Sequence, residues 1–211
     1  MWTPKKKLLT FRSRAALSLE FLGGQLGSGV TSFSLSSFLV DADPGQVFLV
    51  ACGGNTSPAV SFLTCSITGV PATLLATTGA ALVPGAIFGV AAPHLDGANV
   101  VVNASGNVVG GLAVGVWRAV WYQDIATANV AVNVTAAQSL TMVAGGAAIG
   151  IAGAESAVSF TSGLTNRTTL TDGYNYSWRF GDAMSTLPGA TSVDATGASY
   201  PMLVAASFGQ R

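Results

Sequence analysis

The chain has 211 residues, of which half are apolar, 26 are glycine and only 9% carry a charge, against about 25% in typical soluble proteins. That composition excludes a disordered chain, which needs low hydrophobicity, and the densely charged surface of many cytosolic enzymes. One histidine and nine carboxylates leave few groups for acid–base chemistry.

The net charge of zero hides an asymmetry. Lys5, Lys6, Lys7, Arg12 and Arg14 supply five of the nine basic residues, and no acid precedes Glu20. Residues 15–211 hold four basic and nine acidic residues, a net of −5. A basic arm on an acidic body suits partner docking, with a solvated tail as the plain alternative. The segment 1–30 reads as this arm. Leu8, Phe11, Ala15, Leu19 and Leu22 fit a short helix stopped by Gly23-Gly24, whereas Leu17, Leu19 and Phe21 alternate as in an extended arm. Arg12, Arg14 and Glu20 interrupt the apolar core that a secretory signal would need.

From residue 31 to 211 the pattern predicts one all-β domain, an antiparallel β-sandwich of jelly-roll type. Strands are expected at 46–52, 60–67, 72–77, 86–92, 98–103, 112–122, 128–135, 139–143, 147–151, 158–161, 167–171, 174–180 and 200–207. Gly, Pro, Asn and Asp clusters separate them. Gly145-Gly146 reads as a hairpin turn. Residues 44–93 and 125–154 lack Asp, Glu, Lys and Arg, but the second stretch alternates as Val130, Val132 and Val134 and is broken by Asn129 and Asn133. It is read as strand, not as a membrane span.

Two segments, 112–122 and 147–151, are apolar on both faces. A sandwich strand with one face in water should alternate. The surplus face must therefore meet an arm, a neighbouring subunit or a second layer, and a homo-oligomer, a trimer for instance, is expected.

Reactive constellations are scarce. His94, the only histidine, lies in a Pro-flanked loop without a nucleophile elbow, so no Ser-His-Asp triad is expected. No metal site or cofactor is predicted, and the chain is read as a non-enzyme. Cys52 and Cys65 lie in apolar runs and read as two small buried hydrophobes, with a disulfide as the alternative. Tyr174, Tyr176 and Trp178 alternate and share one strand face, either a glycan-stacking row or a core or interface row. The basic stretch 1–14 carries only Trp2 and Phe11 as aromatics, and the body is acidic, so nucleic acid is not an expected partner.

The stretch Val47-Phe-Leu-Val-Ala-Cys-Gly-Gly54, the hairpin from Cys65 to Thr73, the strand from Leu112 to Trp121 and the closing run from Met202 to Gly209 resemble a family of small β-sandwich virion proteins. That family is found in tailed phages and prophage-like elements of alphaproteobacteria, and the resemblance covers residues 31–210. It implies a head decoration, head fibre or tail-associated protein of the virion, with capsid or tail proteins as partners and no catalytic residues. Docking would fall to Lys5, Lys6, Lys7, Leu8, Phe11, Arg12 and Arg14, although the basic arm is a departure from the family pattern. The alternative is a carbohydrate-binding module that recognises a host surface glycan through Tyr174, Tyr176 and Trp178.

Overall fold

A computed structural model describes residues 18–27, 30–38, 46–92, 98–108, 110–120, 124–132, 138–197, 199 and 201–209. Among them are seventeen strands and no helix. The first nine are β1 (Ser18–Gly27), β2 (Val30–Phe38), β3 (Gln46–Asn55), β4 (Phe62–Ile67), β5 (Val70–Pro71), β6 (Thr73–Thr77), β7 (Gly85–Ala92), β8 (Ala98–Val108) and β9 (Gly111–Val120). They form two antiparallel sheets ordered β1-β9-β3-β7-β6 and β2-β8-β4-β5. With β6 set aside as an extra edge, this is the winding of an eight-stranded jelly roll.

The remaining strands are β10 (Asp124–Val132), β11 (Gln138–Met142), β12 (Ala147–Glu155), β13 (Ser159–Ser162), β14 (Thr165–Thr171), β15 (Tyr176–Met184), β16 (Gly189–Thr196) and β17 (Met202–Gly209). Their sheets are ordered β10-β17-β12-β15-β14 and β11-β16-β13. The winding is that of the first half repeated: β10, β17, β12, β15 and β14 take the places of β1, β9, β3, β7 and β6, and β11, β16 and β13 those of β2, β8 and β4. Only β5 lacks a counterpart. A trace survives in the sequence. Ala59-Val-Ser-Phe62 leads into β4, and Ala157-Val-Ser-Phe160 leads into β13. The valine and phenylalanine of each copy are buried in the outer core of their own roll.

The two rolls stack through their five-stranded sheets, which gives four layers and three cores. Phe48, Val50 and Cys52 of β3 face the first outer core, with Val100 and Val102 of β8 opposite. Leu49 and Ala51, on the other face of β3, enter the central core against Ile149 and Ile151 of β12 and Trp178 of β15. Ala148 and Ala152 of β12 then face the third core with Leu140 and Val193. The packing follows a pseudo-twofold. β3 lies on β12, β1 on β14 as β10 on β6, and β7 on β17 as β9 on β15. Both five-stranded sheets are therefore interior. That is the physical reason β9 and β12 are apolar on both faces: the surplus faces meet a second layer of the same chain, not a neighbouring subunit.

The segment 18–27 is strand, so the helical reading of 1–30 fails there. β1 pairs along the edge of β9, from Ser18 opposite Val120 to Gly27 opposite Leu112, with a bulge between Phe21 and Gly23. The extended alternative is the one adopted, and the sandwich begins inside the segment assigned to the arm. Gly145, at φ +70°, does form a turn, closed by the Gly146 N–H donating to the Val143 carbonyl at 2.8 Å. It is no hairpin, because it carries the chain from β11 in the outer sheet to β12 in the inner one. Thr68 and Gly69, both at positive φ, make the tight β4–β5 turn, with Ile67 opposite Val70.

Candidate functional site

The expected docking residues Lys5, Lys6, Lys7, Leu8, Phe11, Arg12 and Arg14 lie outside the described residues, as does His94. The aromatic row Tyr174, Tyr176 and Trp178 is not a surface. Tyr176 and Trp178 are buried in the central core, with ring centroids 4.9 Å apart. Tyr174 precedes β15 in a turn and is 67% exposed. Of the two readings of that row, Tyr176 and Trp178 follow the core one and cannot stack on a sugar. Asp172 sets this arrangement. Its Oδ1 accepts the backbone N–H groups of Tyr174 and Tyr176, each at 2.9 Å, an Asx turn that fixes the entry to β15.

The described carboxylates serve mainly structural bonds. Glu20 pairs with Arg118 across β1 and β9. Asp194 accepts the hydroxyls of Ser162 at 2.6 Å and Ser192 at 3.3 Å. Asp182, only 2% exposed, accepts the Trp117 indole N–H at 2.8 Å and a two-pronged guanidinium from Arg167 at 2.8 and 2.6 Å. The hydrogen bond to Asp182 raises the Arg167 pKa and secures its charge. Phe21, Trp117 and Phe180 pack beside this bond, with ring centroids 5.0 to 6.3 Å apart.

Cys52 and Cys65 are free and buried in the first outer core. Burial pushes the Cys65 thiol up to about 12 and raises Cys52 as well, with the nearby Cys65 adding to it. Both therefore behave as apolar fillers, not as nucleophiles. Among the described residues no three His, Cys, Asp or Glu side chains converge to hold a metal, and no helix is long and apolar enough to cross a membrane.

One concave feature combines size with polarity. A groove of about 330 Å³ lies on β14 and β15 beside the β12–β13 connection. Thr169 stands opposite Arg179 and Thr171 opposite Ser177 in the antiparallel register. Alternation along each strand puts all four on one face, and Ser156 and Asn175 also line the groove. The segment 174–180 is read in sequence for its aromatic face, and the groove is built on the other one, from Asn175, Ser177 and Arg179. An arginine in alternation with a serine, opposite the aromatic face of Tyr176, Trp178 and Phe180, is the signal that could have found it. Comparison with known protein families, characterised proteins and solved structures finds no match for this chain.

Proposed function

We propose that the chain is a structural subunit of a tailed-phage virion, a head decoration or fibre subunit or a tail-associated protein, held on the particle by its basic N-terminal segment. The observation that carries this reading is the jelly-roll winding of both halves, a fold found in viral capsid domains as well as in lectins and cupins. The carboxylates bonded into the fold support a non-enzymatic role, and so does the family resemblance of residues 31–210. In this reading Lys5, Lys6, Lys7, Arg12 and Arg14 meet an acidic surface, and Leu8 and Phe11 fill an apolar groove on it. Each Å² of apolar surface so buried contributes about 25 cal/mol. The chain covers its own inner-sheet faces, so a trimeric fibre would have to assemble through other surfaces, whereas a decoration subunit needs the arm alone.

The test is immunogold electron microscopy of particles produced with the full chain and with residues 1–17 deleted. The deletion must stop there, because Ser18 opens β1. Full-length chain should label particles, and the shortened chain should keep its circular dichroism and melting transition yet be missing from them. Unlabelled particles would overturn the virion assignment. Incorporation of the shortened chain would overturn docking by the arm.

A further inference from the structure

The groove on β14 and β15 exists because the second roll is left open at one place. In the first roll, residues 68–72 between β4 and β6 include β5, which lies against β7. In the second, only Gly163 and Leu164 separate β13 from β14. The side chains follow the same division. β7 presents Ala86, Phe88 and Val90 to its outer core, and β15 presents Ser177 and Arg179 on the corresponding face. An apolar core strand in one roll is a polar groove floor in the other.

Arg179 is anchored in the groove without an ion partner. Its Nε donates to the Val158 carbonyl at 3.2 Å, which anchors the guanidinium and leaves its Nη groups without a partner among the described residues. Arg118 pairs with Glu20 and Arg167 with Asp182. Arg179 alone among the described basic residues has no carboxylate, although the body is acidic. Around it stand the Thr169 and Thr171 hydroxyls, the Ser177 hydroxyl 2.9 Å from that of Thr171, and the polar side chains of Ser156 and Asn175. These last two have positive φ, at +62° and +63°, and Ser156 N–H donates to the Asn175 carbonyl at 2.7 Å.

We propose that this groove binds a saccharide carrying a carboxylate, with Arg179 taking the carboxylate and the hydroxyl and amide groups taking the sugar hydroxyls. A guanidinium fork matches a carboxylate in two-pronged geometry. Ser, Thr and Asn both donate and accept, as sugar hydroxyls do. The volume lies at the lower end of the range of ligand pockets, which suits one or two sugar rings. A polyanion would meet one cation on a body of net charge −5, which disfavours nucleic acid. The site rests on the groove alone and stands whether or not the chain is a virion component.

The test is a titration of the ¹⁵N-labelled full chain, followed by amide shifts, with methyl β-D-glucuronide, methyl β-D-glucoside and sodium acetate. The glucuronide should move the amides of Ser156, Thr169, Thr171, Asn175, Ser177 and Arg179 saturably. It should bind about tenfold more tightly than the glucoside, as expected for one charge-assisted pair, and acetate should not saturate over the same range. Arg179→Gln should bring the glucuronide to the level of the glucoside. Thr169→Val, at an exposed position, should weaken both sugars alike. The assignment is overturned if no sugar saturates, if glucoside and glucuronide bind equally, if acetate binds as well as the glucuronide, or if Arg179→Gln leaves the glucuronide unaffected. Should Arg179→Gln fail to fold, unchanged glucuronide binding by Thr169→Val overturns it.

Discussion

Trp117 on the first roll donates its indole N–H to Asp182 on the second at 2.8 Å, across the seam between the two inner sheets. Trp117 is fully buried and Asp182 nearly so, so the bond has no solvent to replace it. Arg167 binds the same carboxylate from a 42% exposed position.

Removing either partner of this buried carboxylate should therefore be costly. Asp182→Ala strands a buried indole donor and is expected to destabilise the fold by about 3 kcal/mol. Arg167→Ala leaves the buried Asp182 carboxylate without its counter-charge and should cost about 2 kcal/mol at neutral pH, although the arginine itself is 42% exposed. Urea unfolding of both variants measures the two losses, and an unchanged midpoint in Asp182→Ala would remove the seam bond from the account.

The seam also depends on a missing side chain. A Cβ on Gly115 would stand 2.4 Å from the Phe180 ring. Gly115→Ala should overpack the central core and cost about 2 kcal/mol, and Phe180→Leu in the same chain should return part of that. Thermal melts of the single and double variants measure the coupling, and strict additivity would place the clash elsewhere.

The buried thiols set an alkaline limit. Their folded pKa values are raised, so above pH 9 the unfolded chain releases protons that the folded chain keeps. Stability is complete below about pH 9 and falls as pH climbs towards 12, by about 1.4 kcal/mol per pH unit for each thiol. Burial raises Tyr176 in the same direction, which adds to the loss above pH 10. Urea midpoints from pH 8 to 10.5 should slope downward, less steeply in Cys65→Ala, and a flat profile would mean the thiols reach solvent.

Strand identity was legible wherever alternation met turn residues. The alternation at Gln46 to Cys52 and at Ala147 to Ile151 predicts strands, and the structure extends them to Asn55 and Glu155. Gly189–Thr196 carries no strand signal in the sequence, because its short polar residues leave only Val193 as a fully buried apolar anchor. The apolar double faces of β9 and β12 were visible, but periodicity reports how many faces are dry, not whose atoms keep them dry. The duplication left too little identity to read, because each roll needs only apolar residues of compatible size. The groove was missed for a related reason: its residues come from β14, β15 and a connection, and only the register places Thr169 beside Arg179.

A chain that stacks two copies of one roll about a pseudo-twofold has made a dimer of itself with a covalent link. In a true twofold dimer every substitution appears twice, on both sides of the axis. Here the halves are free to diverge, so the Arg179 groove occurs once per chain, where the first roll has Phe88 and β5. Each chain is then univalent at that groove. Any avidity for a surface bearing many ligands has to come from the number of chains displayed together, not from the doubled fold.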